Sequence, residues 1–560
     1  MLDCLNTGAI IYHNAAVAPC VNACPVHVDI PRYCHYIARG RFDEALAVIR
    51  EKNPFPAVCG NICVSPCELE CRLNQLGGAV PIRELKRLVA EKDQGLWKER
   101  LVRQEPSGRR VAVIGSGPAG LTAAYYLALK GHQVTVFEAG LKPGGMMRTI
   151  PRFMLPQEVL DGEIEEILSV GVELKLNSPV GNVDELLNDG YDTVLVAIGT
   201  QEERKLPIPG NNLKEVLGGI DFLRKTSEGE EVKLMQKVLV LGGGGIACDV
   251  ARTVKRLGVR QVGMAFLESR ETMPAPERDV RETEEEGVEF FPSHSFKQIL
   301  GENGRVKGVE CLSVKWMKFD DAGKLHLETY PDSEHVLEAD TVIFATGQGL
   351  NRQFAEKGSL EFNDRGMIKV DPVTFESSRP GIFVAGDCQT GPASVIKAIA
   401  TGRGAAEAID RYLGSDGLID VKLTSGIADE ETALPWVGIN KRVTAGTIPV
   451  DERQGNFQQV DLSLAEEVAV AQAARCGQCD LPISVDSTAC CGCATCELRC
   501  SFVHEKAFNL AASRIKVQRL VNEKTEYSVR LTDECDNCGV CVRYCPYGAL
   551  SRVTEVKKAL

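Results

Sequence analysis

Two stretches in the middle of the chain follow one pattern: a short apolar run, a glycine turn, a helical stretch and a second apolar run. In the first, residues 111–114 end at Gly115, Gly117 and Gly120, and the later run at 133–137 closes on Glu138. In the second, residues 238–241 end at Gly242, Gly244 and Ala247, and the run at 261–267 closes on Glu268. Apolar runs of this length bounded by glycine read as buried strands, so each stretch predicts a βαβ unit. Glycines spaced G-x-G-x-x-G/A at a strand-to-helix turn let backbone approach a pyrophosphate at a helix N-terminus. An acid about twenty residues further on bonds a ribose hydroxyl. Two such units predict two dinucleotides, a flavin and a nicotinamide. Further strands run into glycine turns at 193–200, which ends near Gly199, and at 341–348. Residues 381–409 then supply Gly386 and Asp387 after a strand, with a helix starting near Pro392.

Toward the ends of the chain the informative spacing is that of cysteine. Cys490, Cys493, Cys496 and Cys500 form one run; Cys535, Cys538, Cys541 and Cys545, followed by Pro546, form another. Each reads C-x2-C-x2-C-x3-C, the spacing with which two-cluster ferredoxins hold a pair of 4Fe–4S centres, the fourth thiolate of each run reaching to the other centre. This assigns Cys490, Cys493, Cys496 and Cys545 to one cluster, and Cys535, Cys538, Cys541 and Cys500 to its neighbour. Zinc sites use separated C-x2-C pairs, which these runs are not. Nearer the N-terminus stand Cys20, Cys24, Cys59, Cys63, Cys67 and Cys71, and far from them Cys476 and Cys479 follow residues 462–475, whose apolar positions have helical spacing. Cys4, Cys34, Cys248, Cys311, Cys388 and Cys491 have no spaced partner and read as small hydrophobes. The histidines are scattered and suggest no metal site, the acid-rich stretch 277–287 reads as a solvated helix face, and no hydrolytic triad can be argued.

Composition narrows the class. A length of 560 residues predicts three or four domains. The net charge of −13 argues against a nucleic-acid footprint. Twenty-two cysteines at metal-ligand spacing point to clusters in a reducing compartment rather than to disulfides. No apolar run of about eighteen residues is present, so no membrane span is expected. The first twenty residues lack a basic start and an uninterrupted apolar core, so a secretory signal is not expected. A cytoplasmic protein of an anaerobe is the expectation.

On these motifs, residues from about 20 to 413 resemble the small subunit of glutamate synthase and its relatives. Those include the N-terminal part of dihydropyrimidine dehydrogenase and the large subunit of NADH-dependent ferredoxin:NADP oxidoreductase. The resemblance implies a multidomain flavoprotein of two Rossmann-like α/β domains, with FAD on the first glycine motif. The nicotinamide domain is inserted in the FAD domain, which resumes near residue 340; Asp387 bonds the FAD ribityl chain and the helix after Pro392 faces the isoalloxazine. NADP-using members carry Tyr-Arg-Arg where this chain has Phe266-Leu267-Glu268. A carboxylate there bonds a free 2′-hydroxyl and repels a phosphate, so NAD(H) is expected over NADP(H).

The segment from Cys20 to Cys71 resembles the helical two-cluster domain of the same family, which usually begins with an extra C-x2-C; Tyr12 and Ala15 occupy those places here. The expectation is that Cys476 and Cys479 fold back to complete a cluster with Cys20 and Cys71. Cys24, Cys63 and Cys67 hold a second, with a fourth ligand from Cys59 or a polar residue such as Glu84. The other reading leaves Cys476 and Cys479 to the C-terminal ferredoxin or free. Residues 488–552, with their CSFxHE phrase, resemble ferredoxin subunits that accompany tungsten or molybdenum aldehyde oxidoreductases, class II benzoyl-CoA reductases and carbon monoxide dehydrogenase.

The resulting layout is a helical iron–sulfur domain (1–105), FAD domain (106–205 and 339–414), NAD(H) domain (206–338), linker (415–485) and α+β bacterial-type ferredoxin (486–560). Four 4Fe–4S clusters, FAD and NAD(H) are the expected cofactors. The implied role is an NADH-linked oxidoreductase subunit serving a large catalytic subunit, best a tungsten aldehyde oxidoreductase-like or benzoyl-CoA reductase-like one, and also ferredoxin. The alternatives are a glutamate synthase small subunit and a flavin-based electron-bifurcating NADH:ferredoxin oxidoreductase module.

Overall fold

The computed structural model describes residues 2–4, 10–12, 17–75, 77–320, 325–424, 441–479, 483–520 and 526–552, with residues 2–4 and 10–12 described in backbone alone. The side chains of Cys4 and Tyr12, and Ala15 altogether, lie outside the described residues. The chain divides into two compact units, residues 103–419 with 447–462, and residues 1–102 with 420–446 and 463–560.

The first of these units carries two parallel five-stranded sheets. One has the order Ile382–Val384, Thr193–Val196, Arg110–Ile114, Gln133–Phe137, Glu173–Lys175. The other runs Glu289–Phe291, Gln261–Ala265, Lys237–Leu241, Thr341–Phe344, Val216–Gly218. Helix Pro118–Leu129 is buried along nearly its whole length and packs against helix Val395–Tyr412, which accounts for its being apolar on all sides. The strand at 341–344, expected to reopen the first domain, pairs instead with Lys237–Leu241 and Val216–Gly218. The first sheet resumes only at Ile382. Thr-Val-Ile-Phe is buried at all four positions, and such a strand suits the interior of either parallel sheet, so its partner is a tertiary choice. An antiparallel sheet, His294–Glu302, Arg305–Phe319 and Leu325–Thr329 with His335–Glu338, is attached to the second domain.

The acid-rich helix Glu277–Glu285 is not solvated on every face. Glu282 and Glu286 are 4% and 8% exposed, and they meet guanidinium groups from their own helix and from distant positions. Arg252 pairs with both, Arg256 pairs with Glu286, and Arg278 with Glu282. The 447–462 segment adds Arg453, whose Nη1 is 3.3 Å from Glu286 Oε1, and Asp461, which accepts from Arg278. Arg252 and Arg256 stack over the Phe153 ring at 4.9 and 3.7 Å, and Val460 N donates to the Phe153 carbonyl. Residues expected to be linker therefore belong to a buried ion-pair network.

The other unit begins with helices Pro19–Ala23, Ile30–Ile37, Phe42–Arg50, Pro56–Ile62, Pro66–Leu69 and Ile82–Glu91. Helix Glu466–Ala473 packs against Ile30–Ile37 and Ile82–Glu91, so the second linker stretch joins the N-terminal bundle. Arg475 donates to the carbonyls of Gly78 and Ala79, and Ala445 N donates to Glu84 Oε2. The C-terminal part has a hairpin, Ile515–Arg519 with Tyr527–Leu531, and a four-stranded antiparallel sheet. That sheet is ordered Leu2–Cys4, Ile10–Tyr12, Ile483–Val485, Leu550–Arg552. The expected helical domain thus starts at Pro19, and the two strands before it extend the ferredoxin sheet by backbone pairing that no local pattern announces. Among the described residues no helix is long and apolar enough to cross a membrane.

Replacing Glu286 by Ala leaves Arg252, Arg256 and Arg453 short of a buried counter-charge. The expected loss in denaturant unfolding is about 3–5 kcal/mol. Glu285→Ala, at a half-exposed neighbour, should change stability by no more than about 1 kcal/mol.

Candidate functional site

The first glycine turn is built from contacts that exclude side chains. Gly115 has φ +103°, and a Cβ there would strike the Ala197 carbonyl; one on Gly120 would strike the Gly115 carbonyl. Beside Gly117 nothing lies within 4 Å, so the turn is open on the face at the N-terminus of helix Pro118–Leu129. Glu138 is drawn onto this turn: Oε2 accepts from Ser116 N (3.1 Å) and Ser116 Oγ (2.5 Å), and Oε1 from Gly140 N (2.7 Å). Gly199 (φ +67°) also faces open space. Gly386 N donates to Thr401 Oγ1, and burial pushes the next residue, Asp387, up to about 6 against a hydrogen bond from Ala393 N. An open backbone cradle with a carboxylate at its rim fits the ADP half of a dinucleotide.

The second turn repeats the construction. Gly242 (φ +137°) abuts the Ala345 carbonyl, Gly244 faces open space and Ala247 is fully buried. A Cβ on Gly243 would lie 3.3 Å from Glu268 Oε2, so this carboxylate stands at the glycine turn. The nearest arginine in sequence, Arg270, is engaged elsewhere: Nε and Nη2 each donate to Glu284 at 2.9 Å. An open glycine turn with a carboxylate beside it fits a pyridine dinucleotide.

The cysteines fall into groups. One cavity is lined by Cys490, Cys493, Cys496 and Cys545, with Cys491 at its wall. Burial pushes the Cys496 thiol up to about 12, with the Cys545 and Cys490 charges adding to it. Burial raises Cys535 and Cys538, the latter to about 12, and Cys500 contributes to both shifts. Cys541 is raised by burial and then by Cys538, with Cys535 among the further causes.

A second cavity is lined by Cys20, Cys71, Cys476 and Cys479, together with Ile30, Val80 and Ile82. Burial raises the Cys20 thiol, and Cys476, Cys479 and Cys71 raise it further. Cys34, expected to be a core cysteine without partners, lines the same cavity and is raised by a hydrogen bond with Cys476 and by burial. It sits on helix Ile30–Ile37 among apolar neighbours, which is why spacing gave it no role.

Around Lys86 the remaining N-terminal thiols gather. Burial would lower this ammonium, and Cys63, Cys59, Cys24 and Cys67 outweigh it. Cys59 is thus grouped with Cys24, Cys63 and Cys67. Glu84 is occupied instead with Ala445 N and Arg442. Four thiols around one point, three of them buried, are mutually destabilising as anions and suit a metal cluster that takes their protons' place. Lys86 was missed from sequence, although a signal existed: it lies on the stripe Ile82, Leu85, Val89 that helix Ile82–Glu91 buries. His504 was likewise unassigned; its Nε2 is 3.8 Å from Cys538 Sγ and 3.6 Å from Asp536 Oδ1.

Comparison with known proteins gives three family matches. The pyridine nucleotide-disulphide oxidoreductase model matches residues 109–402, dihydropyrimidine dehydrogenase domain II with its 4Fe–4S cluster matches 13–96, and the 4Fe–4S binding domain matches 529–551. The beta subunit of the NADP(+)-dependent formate dehydrogenase of Moorella thermoacetica is 35% identical over 507 residues, covering 84% of this chain and 71% of that one. The NADPH-Fe(3+) oxidoreductase beta subunit of Geobacter sulfurreducens is 33% identical, covering 82% and 75%. The glutamate synthase [NADPH] small chain of Escherichia coli is 34% identical, covering 70% and 88%.

Two glycines of the first turn should respond differently to the same change. Gly117→Ala fills open space, so the flavin-free protein should melt as wild type does while FAD stoichiometry falls. Gly120→Ala meets backbone, and Tm should drop with it, by a ΔΔG on the order of 1–3 kcal/mol for overpacking. Equal Tm values for the two variants would contradict this.

Proposed function

Because the chain belongs to the pyridine nucleotide-disulphide oxidoreductase family, we propose that it is an NADH-linked subunit passing electrons between NAD(H) and a separate low-potential redox enzyme. Its general class is an electron-transfer oxidoreductase subunit that carries FAD, a pyridine nucleotide and 4Fe–4S clusters. When bound, the flavin exchanges a hydride with the nicotinamide and single electrons with the clusters. The chain's own residues do the holding. The turn at Gly115, Gly117 and Gly120 offers backbone N–H groups to the FAD pyrophosphate, and Glu138 meets the ribose. The turn marked by Gly242, Gly244 and Ala247 would take the NAD(H) pyrophosphate at the N-terminus of helix Gly245–Arg256, with Glu268 on the ribose 2′-hydroxyl. Asp387 and Gly199 lie where the FAD ribityl chain would pass.

Four clusters are proposed: on Cys20, Cys71, Cys476 and Cys479; on Cys24, Cys59, Cys63 and Cys67; on Cys490, Cys493, Cys496 and Cys545; and on Cys500, Cys535, Cys538 and Cys541. The observation that carries the reading is the cavity in which Cys476 and Cys479 meet Cys20 and Cys71 across some four hundred residues of chain. It supports reading the C-terminal ferredoxin as part of one electron path rather than as an appendage. A tungsten aldehyde oxidoreductase-like catalytic subunit remains the proposed partner, by the CSFxHE phrase of the ferredoxin. Anaerobic co-purification from the host with an enzyme free of tungsten and molybdenum would exclude it. A second reading, the small subunit of a glutamate-forming complex, draws on the similarity over 70% of the chain. It leaves the ferredoxin runs without a task, and glutamate formation with a large subunit would decide for it.

Two results are expected of the purified holoprotein. Changing Cys476 and Cys479 to Ser should remove about four irons per chain, one 4Fe–4S cluster, while FAD content holds; unchanged iron would sink the assignment. NADH should reduce a one-electron dye with kcat/KM at least about tenfold above NADPH, and Glu268→Ala should narrow that ratio, since a carboxylate rejecting a phosphate acts on the order of 1–3 kcal/mol. Equal use of both by the wild type would exclude the NAD(H) preference, whose relatives include NADP-dependent enzymes.

A further inference from the structure

The loop bearing Cys476 and Cys479 touches not only the N-terminal cysteines but also the ferredoxin. Cys538 lines the same cavity as Cys20, Cys71, Cys476 and Cys479. Cys479 Sγ donates to the Cys538 carbonyl across 3.9 Å, and a Cβ on Gly477 would lie 3.3 Å from that same oxygen. On the other side, a Cβ on Gly539 would meet the Gly477 carbonyl at 3.0 Å. The two ligand loops, 476–479 and 535–541, therefore approach closely at their backbones, with the Arg552 guanidinium packed against Gly539.

Asn537 fastens this contact. Its Nδ2 donates to the Cys479 carbonyl at 2.9 Å, its Oδ1 accepts from Arg552 Nη1, and its own carbonyl accepts from Arg552 Nη2 at 2.7 Å. Asn537 and Arg552 are 2% and 3% exposed. Asn537 has φ +59°, a left-handed backbone that asparagine, aspartate and glycine tolerate better than other residues. The residue between two cluster ligands, Asp536 excepted, is thus a buried amide aimed at the loop of a third ligand, anchored by an arginine from strand Leu550–Arg552.

We propose that electrons pass between the N-terminal cysteine set and the ferredoxin directly across the Cys479–Cys538 contact, with Asn537, clamped by Arg552, as the positioning residue that holds it. This rests on the reading of Cys20, Cys71, Cys476 and Cys479, and of Cys500, Cys535, Cys538 and Cys541, as 4Fe–4S ligands. One electron moves at a time: one cluster is oxidised and the other reduced by one, no bond forms or breaks, and NADH supplies the electrons by way of the flavin. Asn537 touches no reacting atom. Its effect is on the separation and orientation of the two ligand loops, and a buried hydrogen-bonded clamp keeps these constant.

The test uses the anaerobic holoprotein carrying Asn537→Asp or Asn537→Gly. Asn537→Asp keeps the left-handed backbone and an acceptor for Arg552 while removing the donor to Cys479; Asn537→Gly removes both. Iron per chain, magnetic splitting between reduced clusters by EPR, and freeze-quenched reduction of the ferredoxin clusters after NADH addition are measured together. Iron should hold at the wild-type value. The splitting should weaken and the rate fall by about tenfold or more, the scale on which small misplacements act. Wild-type splitting and rate in both variants would overturn the proposal, and so would loss of iron from both, since Asn537 would then serve binding rather than spacing. If only Asn537→Gly loses iron, Asn537→Asp decides. The ligand reading has its own check: should Cys476 and Cys479 replaced by Ser leave wild-type iron, that reading fails whatever the Asn537 variants do.

Discussion

Cysteines gathered at shared points, where thiolates would repel one another, are the constraint around which much of this protein is arranged. Cys20 is raised by burial and then by four other cysteines, and Cys541 by burial and then by Cys538. Raised thiols stay protonated near neutral pH; as thiolates they would need a bound cation to offset burial and one another, which a metal cluster supplies. The surrounding structure is consistent with that demand. Lys86 is buried among Cys24, Cys59, Cys63 and Cys67. Arg475 and Arg552 are held by backbone carbonyls and amide groups next to the Cys476–Cys479 loop, and Arg72 pairs with Asp536 beside Cys535 and Cys538. Cations near sulfur ligands favour the more reduced, more negative form of a cluster, one of the levers on its potential.

The nucleotide-binding unit answers to a different constraint, that of close backbone approach. Gly115, Gly120 and Gly242 each stand where a methyl group would meet a carbonyl, whereas Gly117 and Gly244 leave room for a ligand. At the third position of the second motif Ala247 is fully buried in the hydrophobic core of its domain. The second half of the unit is held by charge. Glu286 collects Arg252, Arg256 and Arg453, and Phe153 lies under two of these guanidinium groups. Arg453 and Val460, on the otherwise largely exposed segment 447–462, are thereby buried in the unit.

What could be read from the sequence differs by site for physical reasons. The glycine turns and the two C-terminal runs were legible because strand, turn, helix and cubane each impose a short, local spacing. The pair Cys476 and Cys479 was legible only through likeness to a motif expected elsewhere. Cys34, His504 and Asn537 were not legible, because each draws its role from a neighbour on another element. The burial of Glu282 and Glu286 escaped for the same cause: a run of acids looks solvated until the arginines facing it are known. The strand at 341–344 had the right type but the wrong sheet, since an apolar strand carries no label for its partner.

By itself the sequence determined that the chain binds two dinucleotides and carries ferredoxin-type ligand runs. Those features depend on contacts within about thirty residues, where backbone geometry leaves few alternatives. The tertiary structure decided which cysteines share a cavity, that Glu84 is engaged by Ala445 and Arg442, and that the N-terminal strands complete the ferredoxin sheet. It also decided that Cys479 lies against Cys538. Such pairings join segments tens to hundreds of residues apart, and they are selected by burial and packing of whole surfaces rather than by any local spacing.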